Sequence, residues 1–499
     1  LCRRYGADTV VGVMDQLVDA TAERFGRRLA ELPDGSWRHV GLLEHDGVED
    51  RVYRICLRLT KRADRLELDF RESSSQAPAL VNATLGTARS FVLAAVMTLL
   101  GWDLPWVPAA YWRHLDLLTR EGSIVHCRWP AGVSMGATAA GAEIRTCINA
   151  CIAGLLDASP PHRGRLMASC MSSAPGHTIS GFDARGEPYA TLVLDALPGG
   201  GGARYDRDGG DTWGLLHSPG GACADVETNE SLFPIRYLYR RERADSGGPG
   251  RQRGGVGAEH AWAVHGIEGA VEATLFAHGA EPPTSAGVCG GEPGRQNGFL
   301  VVRGATSSLD PDVPAAEMGG VLELPPPKAL LSLLPGDVFM SWCAGGGGLG
   351  DPLEREPAAV LADVQEGLVS AAGAAADYGI VLEGGEAVDE AASGRLRTSL
   401  LERRLGSRPS RPLRTGPAAG TALSSRLGLD GGRLVCSCGE PLGRAAGGPE
   451  VLLLTTSTAV EVRRPDGGAL VERFQLRRRL CPACGLQHRV FVAETGAEG

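Results

Sequence analysis

The sequence predicts an α+β (mixed) chain: a helical and β-rich body, followed by a small C-terminal zinc-ribbon-like β unit. Three observations predict it. Apolar residues recur at helical spacing in several long segments. Other segments alternate apolar and polar residues, or break into short apolar runs between glycine clusters. Near the C-terminus, two close cysteine pairs bracket an alternating stretch.

The first element is an amphipathic helix over residues 7–32, with Val10, Met14, Leu17, Val18, Phe25 and Leu29 on its apolar face. Leu32-Pro33-Asp34-Gly35 stops it. Alternation over 37–43, 52–59 and 65–70 predicts antiparallel strands. Residues 84–101 and 140–157 read as largely buried helices, the second rich in small residues that allow close packing. From 185 to 350 the pattern is β-rich, with tight turns expected at the glycine clusters 199–202, 247–255, 287–294 and 345–350. Helix returns over 353–383, with Pro357 near its start and Val360, Val364 and Leu368 on one face. The body is therefore expected to span 1–384. Residues 385–432, rich in Ala, Gly, Ser, Arg and Pro without a period, read as a linker. Residues 433–499 form the terminal unit, with strands expected at 451–454 and 459–462.

Composition narrows the function. A formal charge of −9 and a pI near 5.7 argue against nucleic acid or an anionic membrane as the main partner. Arg473 and Arg477–Arg479 form a local basic patch against that trend. The longest apolar run, 91–102, is too short to span a bilayer. Nine cysteines scattered without paired spacing read as reduced, mostly buried thiols, so a cytoplasmic location is expected. The only lysines are Lys61 and Lys328, and neither follows a phosphate-cradling glycine loop. Any ATP phosphates are thus expected on another chain.

The remaining cysteines carry the most specific local signal. Cys436 and Cys438, then Cys481 and Cys484, supply four thiolates on two tight turns, the donor set of a tetrahedral zinc ion. Disulfides conflict with the reduced character of the other cysteines, and a redox pair lacks a βαβ setting. Four thiolates leave no position for substrate, so the expected role is structural; His488 could replace one of them. A unit of about 65 residues has little core, so metal would supply much of its folding energy.

Weaker candidates lie in the glycine-rich region. Gly200, Gly201 and Gly202 could present successive N–H groups to a phosphate or oxyanion, or could form a series of tight turns. Asp206, Asp208 and Asp211 follow, with His217 close by, as acid/base groups or metal ligands; the alternative is a solvated acidic loop. Asp245, Arg251 and Arg253 suit an anion-binding loop or a buried ion-paired turn. His126, His162, His177 and His278 show no metal spacing and read as structural.

Several motifs occur in a specific order. Tyr5-Gly6 opens the first helix; Asp69-Phe70 is followed by Ser73, Ser74, Gln76 and Asn82; Glu121-Gly122-Ser123 leads to Pro130. Gly199–Gly202 runs into Ala203-Arg204 and then Asp208-Gly209, and Glu227 and Glu230 precede Pro234. Asp245-Ser246-Gly247-Gly248-Pro249-Gly250-Arg251 continues to Arg253-Gly254-Gly255. Pro335-Gly336-Asp337, Gly345–Gly348 and Gly350-Asp351-Pro352 follow, and the series closes with Asp363-Val364, Gly367, Ser370 and Tyr378-Gly379. In this order they resemble the hydantoinase B/5-oxoprolinase family, which includes the acetone carboxylase large subunits. Glu72 and Ala79 stand where the family carries glycine.

The resemblance implies an ATP-dependent reaction with a hydantoinase A-type ATPase subunit as partner. That partner would phosphorylate the carbonyl of a cyclic amide or enolised ketone, and the present subunit would process the product by hydrolysis or carboxylation. Asp208, Asp211 and His217 are the acid/base candidates, and Gly200–Gly202 the anion cradle. The family's His/Asp-rich segment for a catalytic metal precedes the Tyr-Gly helix, so this sequence is expected to be a fragment or split-gene product. The terminal cysteine unit resembles the small subunits of acetone and acetophenone carboxylases. A non-catalytic scaffold subunit is the rival expectation.

Overall fold

The computed structural model describes residues 1–220, 223–306, 313–444, 453–464 and 467–496. The first helix runs Ala7–Ala30, but only its C-terminal half packs, through Thr21, Ala22, Phe25 and Leu29. Val11, Met14 and Leu17 are exposed, so the apolar face expected along the whole helix is buried over its second half only. The strands Gly35–Glu44, Val52–Arg62 and Arg65–Asp69 pair antiparallel, as their alternation requires. A fourth strand, Leu115–Leu118, joins parallel to Arg65–Asp69.

Two helices cover this sheet's region. Leu85–Leu100 begins where the Thr84 hydroxyl accepts from the Thr87 N–H and ends at Gly101. Ala140–Asp157 is buried along nearly its whole length. A core of Leu57, Leu59, Leu68, Val92, Val96 and Ile148 joins helices to sheet.

The middle of the chain holds two more sheets. One orders Val321–Glu323, Gly298–Arg303, Val338–Trp342, Ala258–Val264 and Ile235–Glu242; the other orders Lys328–Leu333, Val271–Phe276, Gly176–Phe182 and Pro188–Val193. Ile179, Trp262, Leu275, Val301 and Phe339 belong to one core cluster shared by the two sheets.

The glycine clusters are not chiefly turns. Gly201, Gly255, Gly346, Gly248 and Gly254 link by backbone hydrogen bonds of 2.8–2.9 Å, joining segments distant in sequence. A Cβ on Gly200 would lie 1.9 Å from the Gly255 carbonyl oxygen. These segments are a hub of extended backbones packed against one another, which only glycine permits.

Two further expectations change. Residues 353–383 form two helices, Pro357–Gln365 and Ala371–Tyr378, divided at Gly367 (φ +77°) and restarted by the Ser370 cap. The stretch 385–432, expected as a linker, carries the helix Glu390–Leu405, and the strands Thr421–Ala422 and Leu427–Asp430 share a sheet with Arg433–Cys436 and Pro441–Arg444. The periodic signal of that helix is weak because its only fully buried side chain is Ser393. The last sheet comprises Leu454–Arg464, Gly467–Leu480 and Gln487–Glu494. Of the strand expected at 451–454, residues 451–452 lie outside the described residues.

Candidate functional site

The strand Arg433–Cys436 delivers Cys436 and, after a tight turn, Cys438; the strand Gly467–Leu480 ends one residue before Cys481, and Cys484 follows. All four are buried, and their sulfurs lie within 4.8 Å of one another. Cys438 and Cys481 Sγ are 3.8 Å apart, close to the edge of a tetrahedron with zinc–sulfur bonds of about 2.3 Å. The donor set therefore fits one zinc ion. His488 Nε2 lies 3.5 Å from Cys436 Sγ, placed to hydrogen-bond a thiolate rather than to replace it. Cys436, Cys438, Cys481 and Cys484 form a core with Ala483 and Leu486. Leu413 and Leu442 pack against this cluster.

Asp208 and Asp211 meet two buried arginines. Arg355 makes two 2.7 Å bonds to Asp208 and one of 2.6 Å to Asp363. Arg253 reaches Asp363 at 3.2 Å and Asp211 at 2.9 Å. Asp208 also accepts from the Arg253 N–H, and Asp211 from the Val256 N–H. Burial works against the Asp208 charge, but Arg355 outweighs it and holds the carboxyl below its usual range. Three carboxylates and two guanidiniums thus tie the loop after the glycine run to the helix Pro357–Gln365. Asp206 stands apart, exposed and paired with Arg207.

The anion cradle expected at Gly200–Gly202 is not available in this geometry. The N–H groups of Gly200 and Gly201 donate to the carbonyls of Ala344 and Gly210, and that of Gly202 points at Cys170 Sγ. All three residues are buried. Their N–H groups are engaged because the run belongs to the glycine hub.

His217 shares no partner with Asp208 or Asp211. Its Nδ1 accepts from Arg145 at 2.6 Å, and its ring meets Phe91 edge-on at 5.4 Å. Burial, then the Arg145 charge, lowers its pKa to about 4, so the imidazole is neutral near pH 7. The Asp245 carboxylate, on a residue with φ +59°, accepts from the N–H and hydroxyl of Ser370 and fixes a turn.

One cluster had no signal in the sequence. His278, wholly buried, lies between Glu44 (3.1 Å) and Glu143 (2.9 Å), while Lys328 donates to the Glu44 carbonyl. Burial opposes the charge on His278, but Glu44 and Glu143 overcome it and raise its pKa to about 9. The three side chains come from a strand, a helix and a loop far apart in sequence. No spacing could have joined them.

The basic patch expected in the terminal unit is largely paired. Arg473 meets Asp50 and Glu281, and Arg478 meets Glu292. Among the described residues no helix is long and apolar enough to cross a membrane.

Comparison with known proteins agrees with this architecture. Residues 1–352 match the family described as Hydantoinase B/oxoprolinase. The chain is 30% identical over 403 residues to the caprolactamase subunit beta of Pseudomonas jessenii, covering 79% of this chain and 64% of that one. It is 25% identical over 388 residues to the acetophenone carboxylase delta subunit of Aromatoleum aromaticum, covering 74% and 56%. Among solved structures, the ATP-dependent caprolactamase of Pseudomonas jessenii has a similar fold (TM-score 0.69, 24% identity, 79% of this chain and 65% of that one). So does nucleotide-free acetone carboxylase (TM-score 0.68, 23% identity, 78% and 55%). The chain spans less than two thirds of the length of each of these relatives.

Proposed function

This chain belongs to the hydantoinase B/oxoprolinase family, and from that premise we propose that it is the B-type subunit of an ATP-dependent cyclic-amide hydrolase or ketone carboxylase. A hydantoinase A-type partner binds ATP and magnesium and phosphorylates the carbonyl oxygen; this chain processes the activated species. The observation that carries the reading is the match to the caprolactamase subunit beta across 79% of this chain. His217 is the acid/base group left for chemistry, because its Nε2 makes no hydrogen bond among the described residues. Asp208 and Asp211 hold Arg355 and Arg253 in place. The four cysteines hold zinc in a structural role. Their resemblance to the carboxylase small subunits favours the ketone side of the family. A cytoplasmic location belongs to the same reading.

The test is reconstitution with the A-type subunit. Bicarbonate-dependent ATP turnover with a ketone identifies a carboxylase, and bicarbonate-independent turnover with 5-oxoproline or a hydantoin identifies a hydrolase. A stoichiometric complex that turns over no ATP with any of them sinks the enzyme reading.

A scaffold role is the second reading, favoured by one observation: the Gly200 and Gly201 N–H groups and the Asp208 and Asp211 carboxylates are all engaged within the chain. His217→Ala separates the two. As a general base its loss lowers kcat by about 100-fold or more; in a scaffold it changes nothing.

A further inference from the structure

A cavity of about 760 Å³ opens between the body and the segment 415–426. That is the size of a small-molecule site. Its wall includes Asp157, Arg163, Arg251, Cys289, Glu354 and Arg426. Most of the charges are answered at close range. Arg426 grips Glu354 with bonds of 2.6 and 2.7 Å, Arg163 lies 3.6 Å from Asp157, and Arg355 is shared between Asp208 and Asp363.

Arg251 is different. It donates to the Tyr205 carbonyl at 3.3 Å, lies 5.9 Å from the centre of that ring, and makes no ion pair among the described residues. A guanidinium that borders a cavity and makes no ion pair of its own presents a planar fork of donors suited to a carboxylate or phosphate. The wall beside it also holds a backbone outlier. Cys289 sits at φ +54°, a backbone region that side chains other than glycine rarely adopt, with its thiol against the Asp157 carboxyl.

We propose that this cleft binds a small organic oxyanion, a carboxylate or a phosphate monoester, and that Arg251 pairs with its negative oxygens. The site stands apart from His217 and does not depend on the enzymatic role proposed above. Segment 415–426 forms one lip, so the stretch read as a linker in the sequence completes the cavity.

Calorimetric titration of the full chain with inorganic phosphate, and separately with glutarate, tests the proposal and distinguishes the two ligand sources. Saturable binding of at least one probe is expected, weakening as salt rises. Arg251→Gln should weaken it at least tenfold and Arg251→Lys should retain part of it, with the urea midpoint unchanged. Should Arg251→Gln fail to fold, Thr415→Trp at the exposed lip narrows the cavity and should weaken binding at least fivefold. No saturable binding of either probe, or wild-type affinity in every folded variant, overturns the proposal.

Discussion

The wholly buried Asp351 carboxylate is held by the Arg404 guanidinium through bonds of 3.0 and 2.8 Å. The same carboxylate accepts from the Leu353 N–H and from the Gln487 N–H at 2.9 Å. Asp351 belongs to the Gly350-Asp351-Pro352 motif, Arg404 to the helix Glu390–Leu405, and Gln487 follows the second cysteine pair. One carboxylate thus locks the body, the connecting helix and the four-cysteine unit together.

Asp351→Ala should be strongly destabilising, because it leaves Arg404 and the Gln487 N–H without their acceptor. Loss of one partner of a buried pair costs about 3–5 kcal/mol. Urea unfolding read by tryptophan fluorescence measures it, and a loss under about 1 kcal/mol would contradict the locking role.

Removing the metal should loosen the terminal unit first. The purified chain is expected to carry one zinc per chain by elemental analysis, and Cys481→Ser should abolish it. A strong chelator should expose the region after residue 433 to protease before the body unfolds, if zinc bound by the four cysteines takes the place of a larger apolar core there. Equal protection of that region with and without zinc would refute the structural role.

The glycine hub makes a steric prediction. In Gly200→Ala the new methyl would lie 1.9 Å from the Gly255 carbonyl oxygen and 2.3 Å from the Gly346 nitrogen, both rigid backbone atoms. Destabilisation of about 3 kcal/mol or more is expected. Gly164→Ala is the control, with nothing within 4 Å of its Cβ. Similar melting temperatures for the two variants would exclude the packing argument.

Acid should destabilise the protein through two core histidines. Burial lowers the pKa of both His177 and His260 to about 3, and the Arg240 charge adds to the effect at His260. An unfolded histidine titrates near pH ~6.5. Between about pH 6.5 and 3 the unfolded chain therefore binds protons that the folded chain refuses. Their contribution is complete above that window and falls with decreasing pH, by up to about 1.4 kcal/mol per pH unit for each. Urea midpoints from pH 7 to 5 should drop for the wild type and less steeply for His177→Phe, whose ring would meet Phe339 and Trp262 as the imidazole does. Parallel slopes would rule out the His177 contribution.

Local signals in the sequence determined the elements that depend on local chemistry. The helices Leu85–Leu100 and Ala140–Asp157 match their expected spans to within a residue at either end, since their apolar content and flanking Thr84 and Gly101 act within a few residues. The four cysteines were legible because metal geometry imposes short spacings on the chain. The family was legible because its glycine motifs keep their order along residues 1–352.

Tertiary structure decided everything that rests on contacts across long sequence separations. It engaged the Gly200 and Gly201 N–H groups with carbonyls of other segments, converting an expected anion cradle into packing. It enclosed His278 between Glu44 and Glu143, and set His217 against Arg145 rather than beside Asp208. It also gave a structural role to the stretch read as a linker, through Arg404 and Arg426. A periodicity records which face of one element is buried, whereas the partner of a charge or an N–H group is set by which distant segment the fold brings against it.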